Sequence, residues 1–133
     1  MKKYQVTLTE QQLRLIAECV EDCHRFMSGQ VDMHNITSRL DNYKELYEKL
    51  YELKPLVTPE LTHRGSSYGW SGDHCPNEHQ RKFIAETYPI YREILHFFAC
   101  QQKDNDWNVY RCDTLTCIEG GPLIQIKLIP KKK

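Results

Sequence analysis

The sequence has no excess of charge of either sign. Its 133 residues include 18 basic and 18 acidic residues, so the formal net charge is zero. A nucleic-acid binder usually carries a basic excess on one face, so this balance argues against nucleic acid as a partner. The one basic run, Lys131-Lys132-Lys133, is interpreted as a solvated tail.

Long hydrophobic runs are also missing. No apolar stretch approaches the roughly 18 residues that a membrane span needs. The charged start Met1-Lys2-Lys3 is followed by no apolar segment, so it does not read as a secretory signal. The sequence therefore predicts a soluble cytoplasmic protein with no membrane partner.

Cysteine pairs with zinc-site spacing are absent. None of the six cysteines forms the C-x2-C pair of a zinc knuckle, and without a secretory signal their thiols are expected to be reduced. No cofactor and no metal is predicted, and the role of these thiols stays open. The cysteines are Cys19, Cys23, Cys75, Cys100, Cys112 and Cys117.

Hydrophobic spacing predicts three helices in one domain spanning residues 1–133. The first begins after Thr9, with Gln12 at the capping-box position, and stops at Gly29. The second runs from residue 35 or 36 to Pro55. The third is capped by Asn77 and continues through Pro89, which removes one backbone hydrogen bond and is expected to bend the helix. The apolar stripe keeps its phase across Pro89, which favours one kinked helix over two helices that meet there.

Four short segments of apolar and β-branched residues predict strands. They are Tyr4–Leu8, Asn108–Arg111, Leu115–Ile118 and Leu123–Ile129. The first has no partner unless it joins the other three. The predicted fold class is therefore α+β, with three helices packed on a small, mainly antiparallel sheet of three to four strands.

The stretch from Thr62 to Asn77 is the most unusual part of the chain. It places three glycines, two histidines, a tyrosine, a tryptophan and a cysteine between two helical segments. Long loops in small domains are usually functional or disordered, and disordered segments are poor in aromatic residues. We expect an ordered loop that either binds a ligand or fixes the core with one buried aromatic.

A small anionic or nucleotide-like ligand is the first hypothesis for this loop. Glycines allow close backbone approach, and the following helix N-terminus favours an anion. Arginines would meet the charge, hydroxyls would donate hydrogen bonds, and aromatic rings would stack. The predicted ligand-binding residues are Arg64, Ser66, Ser67, Tyr68, Gly69, Trp70, Asn77 and Arg81.

Metal and thiol chemistry are the alternatives in the same stretch. His63, His74, Cys75 and His79 offer zinc ligand types, but adjacent side chains rarely reach one metal together. Cys75 near a helix start could act as a nucleophile, although Pro76 separates it from the helix. No catalytic residue is assigned, and the sequence leans away from an enzyme.

Several segments resemble a group of uncharacterised proteins from gut Bacteroidales and their phages and mobile elements. They are Val6–Ala17, Ser67–Gly72, Cys75–Asn77, Arg81–Ala85, Leu115–Cys117 and Glu119–Gly121. This resemblance implies a small accessory protein of a phage or mobile element, a class whose members often bind host proteins or host signalling molecules. It brings no functional residues with it.

The leading function predicted is a non-enzymatic binding protein that acts as a homo-oligomer. Its ligand would be held by the segment from Arg64 to Arg81. The alternative is a protein-interaction module that inhibits a host protein. It predicts an exposed patch with no concave pocket, formed by Tyr68, Trp70 and the tyrosine edge at positions 43, 47 and 51. A metal- or thiol-dependent hydrolase is the third hypothesis.

Overall fold

Two long helices form the centre of the fold. The computed structural model describes residues 1–61, 65, 67–102 and 108–131. Helix α1 spans Glu10–Ser28 and helix α5 spans Glu78–Gln101, and the two pack along each other. Ala17 of α1 is buried with Ile94 and Phe98 of α5 in the main apolar cluster. Burial of this shared apolar stripe is the main force that pairs the helices.

The caps of α1 follow the sequence prediction. Thr9 and Gln12 form a complete capping box, in which each side chain accepts from the other residue's backbone N–H. Gly29 ends the helix with φ of 108°, a left-handed conformation that favours glycine. Local sequence signals therefore fix both ends of this helix.

Helix α5 was predicted correctly at its start and through its interior. The Asn77 side chain accepts from the Gln80 backbone N–H at 3.1 Å, and the helix is unbroken across Pro89. The expected bend at Pro89 stays a prediction. Gln80 does not close a capping box, because its amide donates instead to the carbonyls of Met27 and Val57.

The predicted second helix is wrong as a single element. Three short helices replace it, namely α2 (His34–Thr37), α3 (Tyr43–Tyr51) and α4 (Lys54–Val57). The Asp22 carboxylate of α1 accepts from the backbone N–H groups of Asn35 and Ile36, which fixes the start of α2 against α1. Pro55 lies in the first turn of α4, where its missing N–H costs nothing.

The predicted α+β sheet is also wrong. The described residues form helices and contain no β-strand, so the fold class over that part of the chain is α-helical. The segments 4–8, 115–118 and 123–129 have no ladder partner, and Val109–Arg111 forms a 3₁₀ turn.

Arg92 of α5 explains why one predicted strand does not form. Its guanidinium donates to the carbonyls of Val109, Tyr110 and Cys112 at 2.9 to 3.3 Å. The Asn108 side chain also accepts from the Tyr110 backbone N–H. These bonds use the backbone groups that a sheet would need, and they hold the chain against α5 as a turn.

None of the helices among the described residues combines the length and the apolarity needed to cross a membrane. This agrees with the sequence prediction of no membrane-spanning segment, whereas the cytoplasmic location stays a prediction.

Candidate functional site

The loop after α4 is tied closely to the end of α1. The backbone N–H of Trp70 donates to the Ser28 carbonyl at 2.9 Å. A Cβ added at Gly69 would lie 2.8 Å from the Ser28 hydroxyl, so the close approach there requires glycine. The loop therefore lies directly on the C-terminal end of α1.

A buried lysine joins three parts of the chain at this point. The ammonium of Lys54, at the start of α4, donates to the carbonyls of Gly29 and Tyr68. Burial lowers the pKa of Lys54 because the charged form loses contact with water. The two carbonyls supply the compensation that a buried cation needs.

The second half of the loop is fixed to α5 and to the turn at residues 117–120. A Cβ at Gly72 would lie 2.8 Å from the Ala85 Cα and 2.7 Å from the Cys117 sulfur. The Asp73 carboxylate accepts from the Ile118 backbone N–H at 2.8 Å. The loop is ordered here, as its composition predicts.

The predicted ligand-binding residues are not all brought together. Arg81 forms an ion pair with Glu119 at 2.9 Å and donates to the Cys75 carbonyl. The Trp70 indole N–H donates to the Glu60 carboxylate at 2.7 Å, and the Asn77 side chain is used as a helix cap.

The remaining predicted residues divide into two groups. Arg64 and Ser66 lie outside the described residues. Tyr68 is half exposed and Gly69 packs on Ser28, as above. Among the described members of this set, only Ser67 lines the polar cavity described next.

A polar cavity of about 410 Å³ lies beside Ser67 and was not predicted from the sequence. Its walls come from the C-terminal half of α1, the connection to α2, the end of α3, the loop and the 3₁₀ turn. The lining residues are Glu21, Asp22, Arg25, Gln30, Asp32, His34, Asn35, Tyr51, Ser67 and Tyr110.

One wall of the cavity is a closed hydrogen-bond network. Arg25 donates to the Glu21 carboxylate at 3.2 Å and to the Gln30 side chain at 3.0 Å. Asn35 donates its amide to Glu21 at 2.8 Å. Burial raises the pKa of Asp22, although the backbone bonds from residues 35 and 36 oppose that shift. The hydrogen-bonding groups of this wall are already paired with one another, so the wall defines the shape of the cavity and does not offer free groups to a ligand.

The cavity also carries polar groups that are still available. Within the described part of the chain, the Asp32 carboxylate and the hydroxyls of Tyr51 and Tyr110 have no hydrogen-bond partner. The Nδ1 of His34 forms a hydrogen bond with the Tyr47 hydroxyl at 2.7 Å, so its Nε2 is the ring nitrogen still available to a ligand.

These residues were missed because the sequence disperses them over three distant segments. The one available signal is the tyrosine repeat at positions 43, 47 and 51, whose four-residue spacing favours a packed aromatic edge over a stacking platform for ligands. Tyr43 and Tyr47 do form such an edge, with ring centroids 5.7 Å apart. Tyr51, one turn further on, lines the cavity instead.

The histidine and cysteine cluster does not assemble as a metal site among the described residues. The His74 ring bonds the Ser71 hydroxyl at 2.6 Å, and His63 lies outside the described residues. Cys75 is buried, and burial raises the pKa of its thiol. A raised pKa reduces the thiolate fraction that nucleophilic chemistry requires.

Comparison of this chain with protein-family models, with curated proteins and with solved structures finds no match. The functional argument therefore rests on the geometry of the chain itself.

Proposed function

We propose that this protein is a non-enzymatic binding protein that holds a small nucleotide-like molecule in the cavity beside Ser67. The observation that carries the proposal is the set of available polar groups of Asp32, Tyr51 and Tyr110 around a space of about 410 Å³. Ligand pockets typically enclose about 300–1,000 Å³ and fix their ligand with a few placed polar groups.

The walls favour a flat ring that carries N–H donors. Tyr51 and Tyr110 offer aromatic surface with a polar end, and the Asp32 carboxylate can accept from an amino or imino group. The lining holds three carboxylates and one guanidinium, so the ring rather than an anionic group suits its interior. Stacking is thus assigned to these tyrosines and no longer to Trp70, whose indole N–H is used by Glu60.

A phosphate or other anionic group would be met at the mouth of the cavity. Ser67 lines the cavity, and Arg64, which lies outside the described residues, precedes it by three residues in the chain. We therefore retain Arg64 as the proposed partner of the anionic group. Arg81 is released from this role, because Glu119 already neutralises it.

The biological setting proposed is that of a phage or mobile-element accessory protein that sequesters a host signalling molecule. This step rests on the sequence resemblance.

Isothermal titration calorimetry against a panel of nucleosides, nucleotides and cyclic nucleotides tests the proposal. Asp32→Asn and Tyr51→Phe are each expected to weaken binding about tenfold, the size of one lost hydrogen bond at about 1.4 kcal/mol. Asp41→Asn and Tyr43→Phe are matched controls, because both residues are exposed and lie outside the cavity. The controls are expected to bind like the wild type.

Arg64→Ala tests the contact with the anionic group separately from the contacts with the ring. It is expected to weaken the binding of nucleotides and to leave the binding of nucleosides unchanged. No binding by the wild type to any member of the panel would overturn the proposal, as would equal losses in the cavity variants and their controls.

A protein-interaction module is the second candidate, and one observation favours it. Leu56 is 81% exposed and Tyr68 is 51% exposed, on two segments that Lys54 joins. Exposed apolar side chains held on adjacent ordered segments are typical of contact surfaces. Inhibition of a host protein through this surface would be lost in Leu56→Asp, whereas ligand binding in the cavity would be retained.

A further inference from the structure

Two segments of the chain form neither helix nor strand and have no hydrogen-bonded neighbour. We call residues 1–8 the N-terminal segment and residues 121–131 the C-terminal segment; both are described throughout. Within the described residues, no backbone N–H or carbonyl of either segment makes a hydrogen bond. An extended backbone with both edges unpaired is a template for another strand.

The C-terminal segment already has the side-chain arrangement of a strand. Ile124 and Ile126 pack against the α1–α5 apolar cluster, while Gln125 and Lys127 between and beside them are exposed. This alternation places one face on the core and the other in solvent. The segment therefore lacks only a partner at its edges.

The two segments border an apolar groove of about 430 Å³ at the end of the helix pair, with Phe97 at its base. Much of its apolar wall is uncovered, since Val6 is 74% and Leu128 is 70% exposed. Such a surface is costly to leave in water.

We infer that the C-terminal segment pairs with the same segment of a second copy of this chain, antiparallel and centred on Ile126. Pro122 and Pro130 lie at equal distances from Ile126. In this register Pro122 of one copy lies opposite Pro130 of the other at each end of the paired segment, where a residue without an N–H is tolerated. The seven residues between them pair across a two-fold axis, so the segment is complementary to itself.

The same register brings the two segments' apolar residues together. Ile124 faces the partner copy's equivalent of Leu128, and the two Ile126 side chains meet at the axis. The covered faces of both copies then form one continuous apolar surface, which extends each core across the axis.

The proposed register also limits repulsion between the two basic segments. Residues 1–8 and 120–133 contain six lysines and no acidic residue, whereas residues 9–119 contain 12 basic and 18 acidic residues. In the proposed register Lys127 faces glutamine rather than another lysine.

Light scattering coupled to size-exclusion chromatography of the full chain, over a range of concentrations, tests the inference. The wild type is expected to be a dimer. The double variant Gln125→Pro with Lys127→Pro is expected to weaken dimerisation at least tenfold, because each proline removes a backbone donor. Circular dichroism is expected to show unchanged helix, since both side chains point away from the core.

The matched control is Gln125→Thr with Lys127→Thr, which keeps every backbone donor and adds β-propensity. It is expected to dimerise at least as tightly as the wild type. Hydrogen exchange adds a local readout, in which amides of residues 123–129 become protected as concentration rises.

A wild type that stays monomeric at the highest concentration would overturn the inference and assign these edges to a strand from a different protein. A proline variant that dimerises as tightly as its threonine control would overturn it as well, because the interface would then lie elsewhere.

Discussion

The loop at residues 67–77 and the C-terminal segment at 121–131 are both without helix, yet they differ in where their polar groups go. The loop directs its backbone to Ser28, Lys54 and the start of α5. The C-terminal segment has no such bond among the described residues. Buried or shielded backbone groups need partners, so the first segment is complete within one chain and the second is completed by pairing.

This difference assigns the two regions different roles. A loop fixed from several sides can hold the wall of a cavity in place without reorganising when a ligand arrives. A segment with bare edges and an alternating pattern is suited to adding a strand from outside. The loop has the more unusual composition, but the C-terminal segment has the longer run of unpaired backbone.

The largest effect is expected from acid, which acts on the α1–α5 helix pair that supports both regions. His24 is buried between α1 and α5, where burial lowers its pKa from 6.5 to about 4. Between these values the unfolded chain binds the proton and the folded chain does not, so stability falls as pH decreases through this window. The loss is expected to reach about 3 kcal/mol below pH 4.

Urea unfolding at several pH values measures this effect. His24→Gln is expected to flatten the dependence between pH 6.5 and 4. The same pH dependence in His24→Gln as in the wild type would contradict the assignment.

A methyl group at Gly72 is expected to have the next largest effect. The added Cβ would meet the Ala85 backbone at 2.8 Å and displace the loop from α5. Gly72→Ala is therefore expected to cost about 2 kcal/mol, as overpacking typically does, and to speed amide exchange at Ile118. Denaturant titration and hydrogen exchange measure both.

Gly121→Ala is the matched control in the C-terminal segment, where a Cβ meets nothing within 4 Å. Its cost is expected to stay below about 0.5 kcal/mol. Equal losses for the two glycines would remove the distinction between a fixed loop and an open segment.

The smallest effect is expected in the N-terminal segment. Val6→Ser, at a side chain that is 74% exposed, is expected to change monomer stability by less than about 0.5 kcal/mol. Val31→Ser, at a fully buried valine, is expected to cost about 2 kcal/mol or more. Unfolding at low concentration compares the pair, and a large loss for Val6→Ser would show that its segment is packed within one chain.

Local signals account for the helical features that were predicted correctly. The Thr9 capping box, Gly29 and the Asn77 cap act within a few residues of sequence, so no distant contact is needed to recognise them. The division of the predicted second helix into three was not predicted, because the Asp22 carboxylate that fixes the start of α2 belongs to a different helix.

The candidate site was largely outside the reach of sequence reasoning. Ser67 was predicted to bind ligand and lines the cavity. Asp32, Tyr51 and Tyr110 come from three separate segments, and their pattern carries no motif. Arg81 was chosen for its charge, but Glu119, 38 residues later in the chain, pairs with it.

The sequence by itself determined the two long helices, their caps and the order in the glycine-rich loop, because helix periodicity and capping are local. It also determined the alternation of the terminal segments, but not whether they find partners. Only the tertiary structure decided that Arg92 donates hydrogen bonds to the carbonyls at the 3₁₀ turn. It also decided that the strand-like terminal segments have no backbone partner among the described residues. Hydrogen bonds between distant segments depend on how the helices pack, and a strand pattern specifies a face rather than a neighbour.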